Sequence, residues 1–173
     1  MAFYREAVTI ADCSLRGTPF LSEWDFRFIR RAQEISSWSK DPKRKVGCVL
    51  VRGKREVCEG FNGFPEGLSD DLKLLTDPDY KGKVIIHAEA NAIIDATRKG
   101  VTLEGTTAYV TFHPCSLCAS MLIQAGVKKI ICPPPVFQGS KWSDNFKTSS
   151  DLLFEVGVPV YYFNETNESR HLN

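Results

Sequence analysis

Four residues of this chain have the types and spacing to do chemistry together: His87, Glu89, Cys115 and Cys118. The cysteines form a Cys-x-x-Cys behind Pro114, and His87 with Glu89 forms a His-x-Glu upstream. One imidazole and two thiols supply the three protein ligands typical of a catalytic zinc, which keeps a fourth position for water. Bound Zn2+ lowers the pKa of such a water to about 7. Glu89 stands two residues after a ligand, so on an ideal helix it points about 200° away and is not expected to share the metal. The looser geometry of a helix start lets its carboxylate lie beside the water instead. There it could take a proton from water, protonate a ring nitrogen and later deliver a proton to leaving ammonia. The expected chemistry is hydrolytic attack on an amino-bearing ring carbon.

Each half of the pattern has a plainer counterpart. A Cys-x-x-Cys alone also suits a structural zinc site or a redox pair. A structural site requires a fourth ligand, and neither Cys132 nor His113 has suitable spacing for one. A thioredoxin-like motif has no need of the upstream His-x-Glu. His113 itself has two readings, a pocket-lining side chain or a packed histidine at a strand end.

These residues need elements to hold them. Ser22 is a candidate N-cap, and Trp24, Phe28, Ala32 and Ile35 follow at helical spacing up to Asp41-Pro42. Val46 to Val51 and Glu56 to Phe61 read as a hairpin turned at Gly53-Lys54. Asn62 to Lys83 is rich in Gly, Pro and Asp and reads as a long functional loop leading into His87. His87 to Thr97 has helical spacing with Gly100 as C-cap. Further strands are expected at Thr106 to Phe112, Val127 to Cys132 and Val158 to Phe163, with helices at Ser116 to Gln124 and Asp144 to Glu155. His87 and the Cys-x-x-Cys then sit at two helix starts facing each other across the metal, and helix N-termini favour thiolates. The order predicts a three-layer α/β/α domain around one five-stranded mixed sheet. Its expected extent is 22–165, with an N-terminal extension over 1–21 and a tail over 166–173.

With 173 residues the chain is large enough to bury a core without staples. Its 22 basic and 21 acidic residues leave a net charge of +1, which gives no field to attract a polyanion. No nucleic-acid partner is expected. No apolar run approaches the roughly 18 residues that span a bilayer, and the first residues lack the pattern of a signal peptide. A cytoplasmic protein with reduced thiols and no membrane association is expected. Cys48, Cys58 and Cys132 then read as buried small hydrophobes.

The flanks resemble one family, the deoxycytidylate (dCMP) deaminases of the zinc-dependent cytidine/deoxycytidylate deaminase superfamily. Ser39-Lys-Asp-Pro42 with Lys45-Val-Gly-Cys-Val-Leu-Val51 resembles its first-strand region. Gly60-Phe-Asn-Gly-Phe-Pro-Glu-Gly-Leu-Ser-Asp-Asp71 is similar to its Gly-Tyr-Asn-Gly-x-Pro-x-Gly-Cys-Ser-Asp-Asp stretch. His87-Ala-Glu-Ala-Asn-Ala-Ile93, Thr111-Phe-His-Pro-Cys-Ser-Leu-Cys-Ala119 and Gln124-Ala-Gly-Val127 continue the likeness, which covers residues 24 to 163. The resemblance implies a cytidine-deaminase-like fold and zinc-dependent conversion of dCMP to dUMP, supplying thymidylate synthesis. It implies a homo-oligomer, hexamer or dimer, and places Asn62 and Ala88 in the nucleotide pocket. Arg44, Lys45 and Lys141 are the basic candidates for the 5′-phosphate, and Trp142 and Phe137 for a wall of the base.

Two departures stand out. Leu68 replaces the family's usual Cys, and Glu66 adds a carboxylate to the loop near which many members bind dCTP or dTTP as effectors. Extra negative charge disfavours a triphosphate, so weakened or absent regulation is expected. The rival activities are deamination of another cytosine nucleotide, dCTP or a modified dCMP, or of a free base. A silent zinc-binding subunit is a third alternative, against which the retained Glu89 speaks.

Overall fold

β1 (Gly47–Arg52) and β2 (Arg55–Phe61) form an antiparallel hairpin whose turn places Gly53 at φ +63°, a left-handed conformation that glycine adopts without strain. The computed structural model describes residues 21–137 and 142–163. What was expected over 1–20, over 138–141 and beyond 163 lies outside them. β3 (Thr107–Val110) pairs antiparallel with the free side of β1. β4 (Lys129–Cys132) and β5 (Val160–Tyr162) continue the sheet in parallel, giving the order β2-β1-β3-β4-β5. This is the five-stranded mixed sheet expected from the sequence. β3, β4 and β5 are shorter than the runs expected for them, and β3 stops at Val110 with Phe112 and His113 beyond it.

Parallel neighbours need a crossover, and a helix supplies each one. α5 (Ser116–Gln124) joins β3 to β4, and α6 (Ser143–Glu155) joins β4 to β5. α1 (Glu23–Ser36) precedes the sheet, and α4 (Ala88–Lys99) follows the hairpin and ends at Gly100 in the left-handed region. The pleat of β1 shows how the layers form. Cys48 and Leu50 face one way, into a core with Ala88, Ala92, Ala96, Ala119, Leu122 and Leu153 of α4, α5 and α6. Val49 and Val51 face the other way, onto Phe26, Phe28, Ile29, Ala32 and Ile35 of α1. Helices thus cover both faces of the sheet, in three layers. Cys48, Cys58 and Cys132 are buried in the first of these cores as small apolar side chains.

α1 is fixed at its start by a reciprocal cap: Ser22 accepts from the Asp25 N–H at 3.2 Å, and Asp25 accepts from the Ser22 N–H at 2.8 Å. Asp25 also accepts from the Tyr109 hydroxyl at 2.7 Å, tying the cap to β3. Trp24 fits the helical spacing but does not join the core. It lies at the surface with the Arg27 guanidinium 4.8 Å from its ring centre. Phe26 and Ile29 take the buried positions instead.

The segment 62–83 is not the structureless loop expected. It contains α2 (Leu72–Thr76) and α3 (Pro78–Val84), each started by an aspartate, Asp71 or Asp77, accepting backbone N–H groups of its first turn. The Asp and Pro residues that suggested a loop are here helix starts, with Pro78 in the first turn, where its missing N–H costs nothing. Gly63 and Ile86 exchange two backbone hydrogen bonds, 3.1 and 2.9 Å, which bring the chain back beside its entry point just before His87. No helix among the described residues is long and apolar enough to cross a membrane.

Candidate metal centre and active-site cavity

His87 is the N-cap of α4 and Cys115 the N-cap of α5, both in extended backbone. The two helix starts meet. His87 Nδ1 lies 3.5 Å from Cys115 Sγ and 3.5 Å from Cys118 Sγ. All three atoms fall within 4.8 Å of one another. Ordinary Zn–N and Zn–S bond lengths at a tetrahedral angle separate nitrogen from sulfur by about 3.5 Å. The donor set and its spacing therefore fit zinc, with three ligands and one open position. Pro114 stands just outside the cap.

The starts are anchored from outside. Asn145, in the first turn of α6, accepts the Ser116 N–H at 2.8 Å and donates to the Ser116 hydroxyl at 3.1 Å. Asn91 of α4 donates to the Phe61 carbonyl at 2.7 Å, fixing α4 to the end of β2. Sequence reasoning assigned neither asparagine a role, since each acts on groups beside the metal ligands and only the folded chain shows the pairing. Inside the group, hydrogen bonds from Cys118 and from His87 pull the Cys115 thiol below its ordinary range despite burial, the direction that suits a metal ligand.

Glu89 is 4% exposed. Burial pushes its carboxyl up to about 7, with the Cys118 thiol close to it. The 200° offset of an ideal helix does not arise, because His87 is a cap with ψ 157° and lies outside the helix proper. Both side chains therefore open into one cavity.

That cavity has a volume of about 320 Å³. His87, Glu89 and Cys115 line one part of it, and Arg44, Asn62, Ala88, His113 and Trp142 line it as well. The structure thus gathers eight of the expected site residues around one cavity, whose lining does not include Cys118, Lys45 or Phe137. Trp142 lies edge-on to His87, with ring centres 6.4 Å apart, and stacks on Phe146 at 6.2 Å. The Arg44 guanidinium sits 4.1 Å from the centre of the Phe112 ring.

Other placements differ from expectation. The Asn62 amide is spent on its own chain: it donates to the Arg44 carbonyl at 2.9 Å and to Asp41 at 3.2 Å, and accepts the Val46 N–H at 2.7 Å. Its two N–H donors are occupied, so it shapes the cavity wall before it can offer anything to a sugar. His113 is 2% exposed, with Nδ1 3.6 Å from Cys132 Sγ and Nε2 3.4 Å from the Ser150 hydroxyl. Burial lowers it to about 4, so this wall is a neutral, packed histidine. Lys45 reaches back to the Ser37 carbonyl at 3.3 Å, and Phe137 is 46% exposed; neither lines the cavity. Lys141 lies outside the described residues. Glu66 is paired with Arg98 at 2.9 Å, so its charge is not uncompensated. Lys81 and Lys43, by contrast, line the cavity without having been expected there.

Residues 22–133 match the sequence pattern of the cytidine and deoxycytidylate deaminase zinc-binding region. The chain belongs to this family of deaminases. The deaminase is 47% identical over 137 residues to the probable deoxycytidylate deaminase of Caenorhabditis elegans, covering 77% of this chain and 66% of that one. It is 33% identical over 141 residues to the human deoxycytidylate deaminase, covering 78% and 75% respectively. Among solved structures it is similar to the dCMP deaminase of the cyanophage S-TIM5 in complex with dCMP and dUMP. The TM-score there is 0.68 and the identity 26%, over 83% of this chain and 98% of the phage chain. The α/β fold and the zinc-binding character of the site are thereby shared with known deaminases.

Proposed function

We propose that this deaminase hydrolyses dCMP to dUMP and ammonia. One observation carries the proposal: His87, Cys115 and Cys118 meet at zinc spacing, and His87 and Cys115 line the same cavity as a buried Glu89. The phage structure that it resembles holds dCMP and dUMP, and its Caenorhabditis elegans and human relatives are named for deoxycytidylate, which supports the choice of nucleotide.

His87, Cys115 and Cys118 would hold the zinc. When bound in such a site, zinc activates water at neutral pH and stabilises developing negative charge. Glu89 moves the protons. Its buried carboxyl, near pKa 7, is suited both to take a proton and to give one. It accepts a proton from the attacking water and passes it to N3 of the cytosine ring; it then takes the second proton from the hydroxyl added at C4 and delivers it to the 4-amino nitrogen, which leaves as ammonia as the C4 carbonyl forms. In this reading Trp142 and Phe112, which line the cavity, pack against the base, and Arg44, which lines it too, meets the 5′-phosphate.

The same proposal makes the protein a cytoplasmic homo-oligomer feeding thymidylate synthesis. Exposed Leu117 on α5 and Ile94 on α4 support self-association as apolar area for a second copy to cover. The deciding experiment incubates purified protein with dCMP, dCTP, CMP, deoxycytidine and cytosine and measures ammonia release. dCMP is expected to give the highest kcat/KM. Preference for any other compound overturns the substrate assignment.

A further inference from the structure

Asp41 is 2% exposed and engages donors from three parts of the chain. Its Oδ1 accepts the N–H groups of Lys43 at 2.8 Å and Arg44 at 3.2 Å. Its Oδ2 accepts from the Asn62 amide at 3.2 Å and pairs with Lys81 Nζ at 2.6 Å. The segment carrying Arg44, the end of β2 and helix α3 are thus fastened to one carboxylate. Burial alone raises an aspartate, but here the Lys81 ammonium and the two backbone N–H groups outweigh it and hold the carboxyl below its usual range.

A buried ion pair is weak evidence of added stability, because desolvation offsets the Coulomb gain. Its geometric effect is definite: it fixes a flexible side chain. The Lys81 side chain is 17% exposed, and an ammonium has three N–H donors. Asp41 is its one partner among the described residues, which leaves donors for a ligand in the cavity that Lys81 lines. The charges at this part of the wall also count. Lys43, Arg44 and Lys81 against Asp41 leave a net charge of +2. A phosphate monoester carries about two negative charges at neutral pH.

The geometry points to Lys81 as a specificity-determining residue: held by Asp41 beside Arg44, its ammonium contacts the 5′-phosphate and separates nucleotide from nucleoside. Asp41 is then a positioning residue, acting through Lys81 and the Arg44 backbone. The inference rests on dCMP being the substrate.

The test compares wild type, Lys81→Met, Lys81→Arg and Asp41→Asn by steady-state kinetics on dCMP, with calorimetric titration of dUMP and thermal melting alongside. Lys81→Met is expected to raise KM for dCMP at least tenfold and weaken dUMP binding at least tenfold, with kcat within about threefold. Lys81→Arg should recover most of the loss, and Asp41→Asn should reproduce the KM effect more weakly while melting earlier. Unchanged KM and dUMP affinity in Lys81→Met, or a loss confined to kcat, overturns the role of Lys81. Wild-type protein that turns over an unphosphorylated cytosine compound in preference to dCMP overturns the substrate assignment itself, and this inference falls with it.

Discussion

Gly60 and Ala92 meet backbone to backbone: a Cβ placed on Gly60 would stand 2.4 Å from the Ala92 nitrogen and 2.4 Å from the Ala88 carbonyl oxygen. α4, which starts at His87, is seated against β2 through this missing side chain. Neither neighbouring atom belongs to a flexible side chain, so nothing can yield cheaply. Gly60→Ala is expected to cost about 3 kcal/mol, the upper end for overpacking, and to displace His87 from the two sulfurs. Denaturant unfolding and zinc content of the purified variant check this together. A variant with wild-type stability and full zinc would contradict it.

Glu89→Gln keeps the size of the side chain and removes its ability to carry a proton. Turnover of dCMP should fall roughly 100- to 10,000-fold, the usual worth of a placed general acid–base. Zinc content and melting temperature should stay near those of the wild type. Activity within tenfold of wild type would remove Glu89 from the proton path.

Asn145 is fully committed to the first residue of α5, accepting from the Ser116 N–H and donating to its hydroxyl. Asn145→Ala therefore loosens the helix start that bears both sulfurs. Zinc retention against a chelator is expected to weaken about tenfold, in the range for groups that orient metal ligands. Competition with a chromophoric chelator measures it; unchanged retention would assign Asn145 to helix packing alone.

Acid should unfold the protein through Asp25 and Asp41. Burial raises Asp25, but hydrogen bonds from Ser22 and Tyr109 and the charge of Lys129 prevail and hold it below its usual range. Asp41 is likewise held low by Lys81 and two backbone N–H groups against its burial. A carboxyl that is more acidic folded than unfolded stabilises above its unfolded pKa, roughly 3.9 for Asp. That stability is present at neutral pH and is lost as pH falls below about 4. Urea midpoints measured from pH 7 down to pH 3 should drop along this limb, and less steeply in Asp25→Asn.

The sequence carried the chemistry of the site and most of the frame. His-x-Glu and Cys-x-x-Cys were readable because ligand type and local spacing sit on single helix starts. The hairpin was readable because Gly53 separates two apolar runs. Features that depend on distant packing were not. Trp24 shares the helical spacing of Phe28 and Ala32, yet periodicity does not say which edge of the stripe meets the sheet. Asp71, Asp77 and Pro78 serve loops and helix starts equally well, so α2 and α3 were hidden. Lys81 looked like any solvated lysine until α3 brought it to Asp41. Asn62 was expected in the pocket by resemblance, and only the folded chain shows its amide engaged by Arg44, Val46 and Asp41.

β3 lies between the two halves of the metal site in the chain and at the centre of the sheet in space. His87 precedes it, and Cys115 follows it 28 residues after His87. A bound ion would therefore tie together the chain on both sides of the central strand, so that metal binding and closure of the sheet would be coupled in free energy.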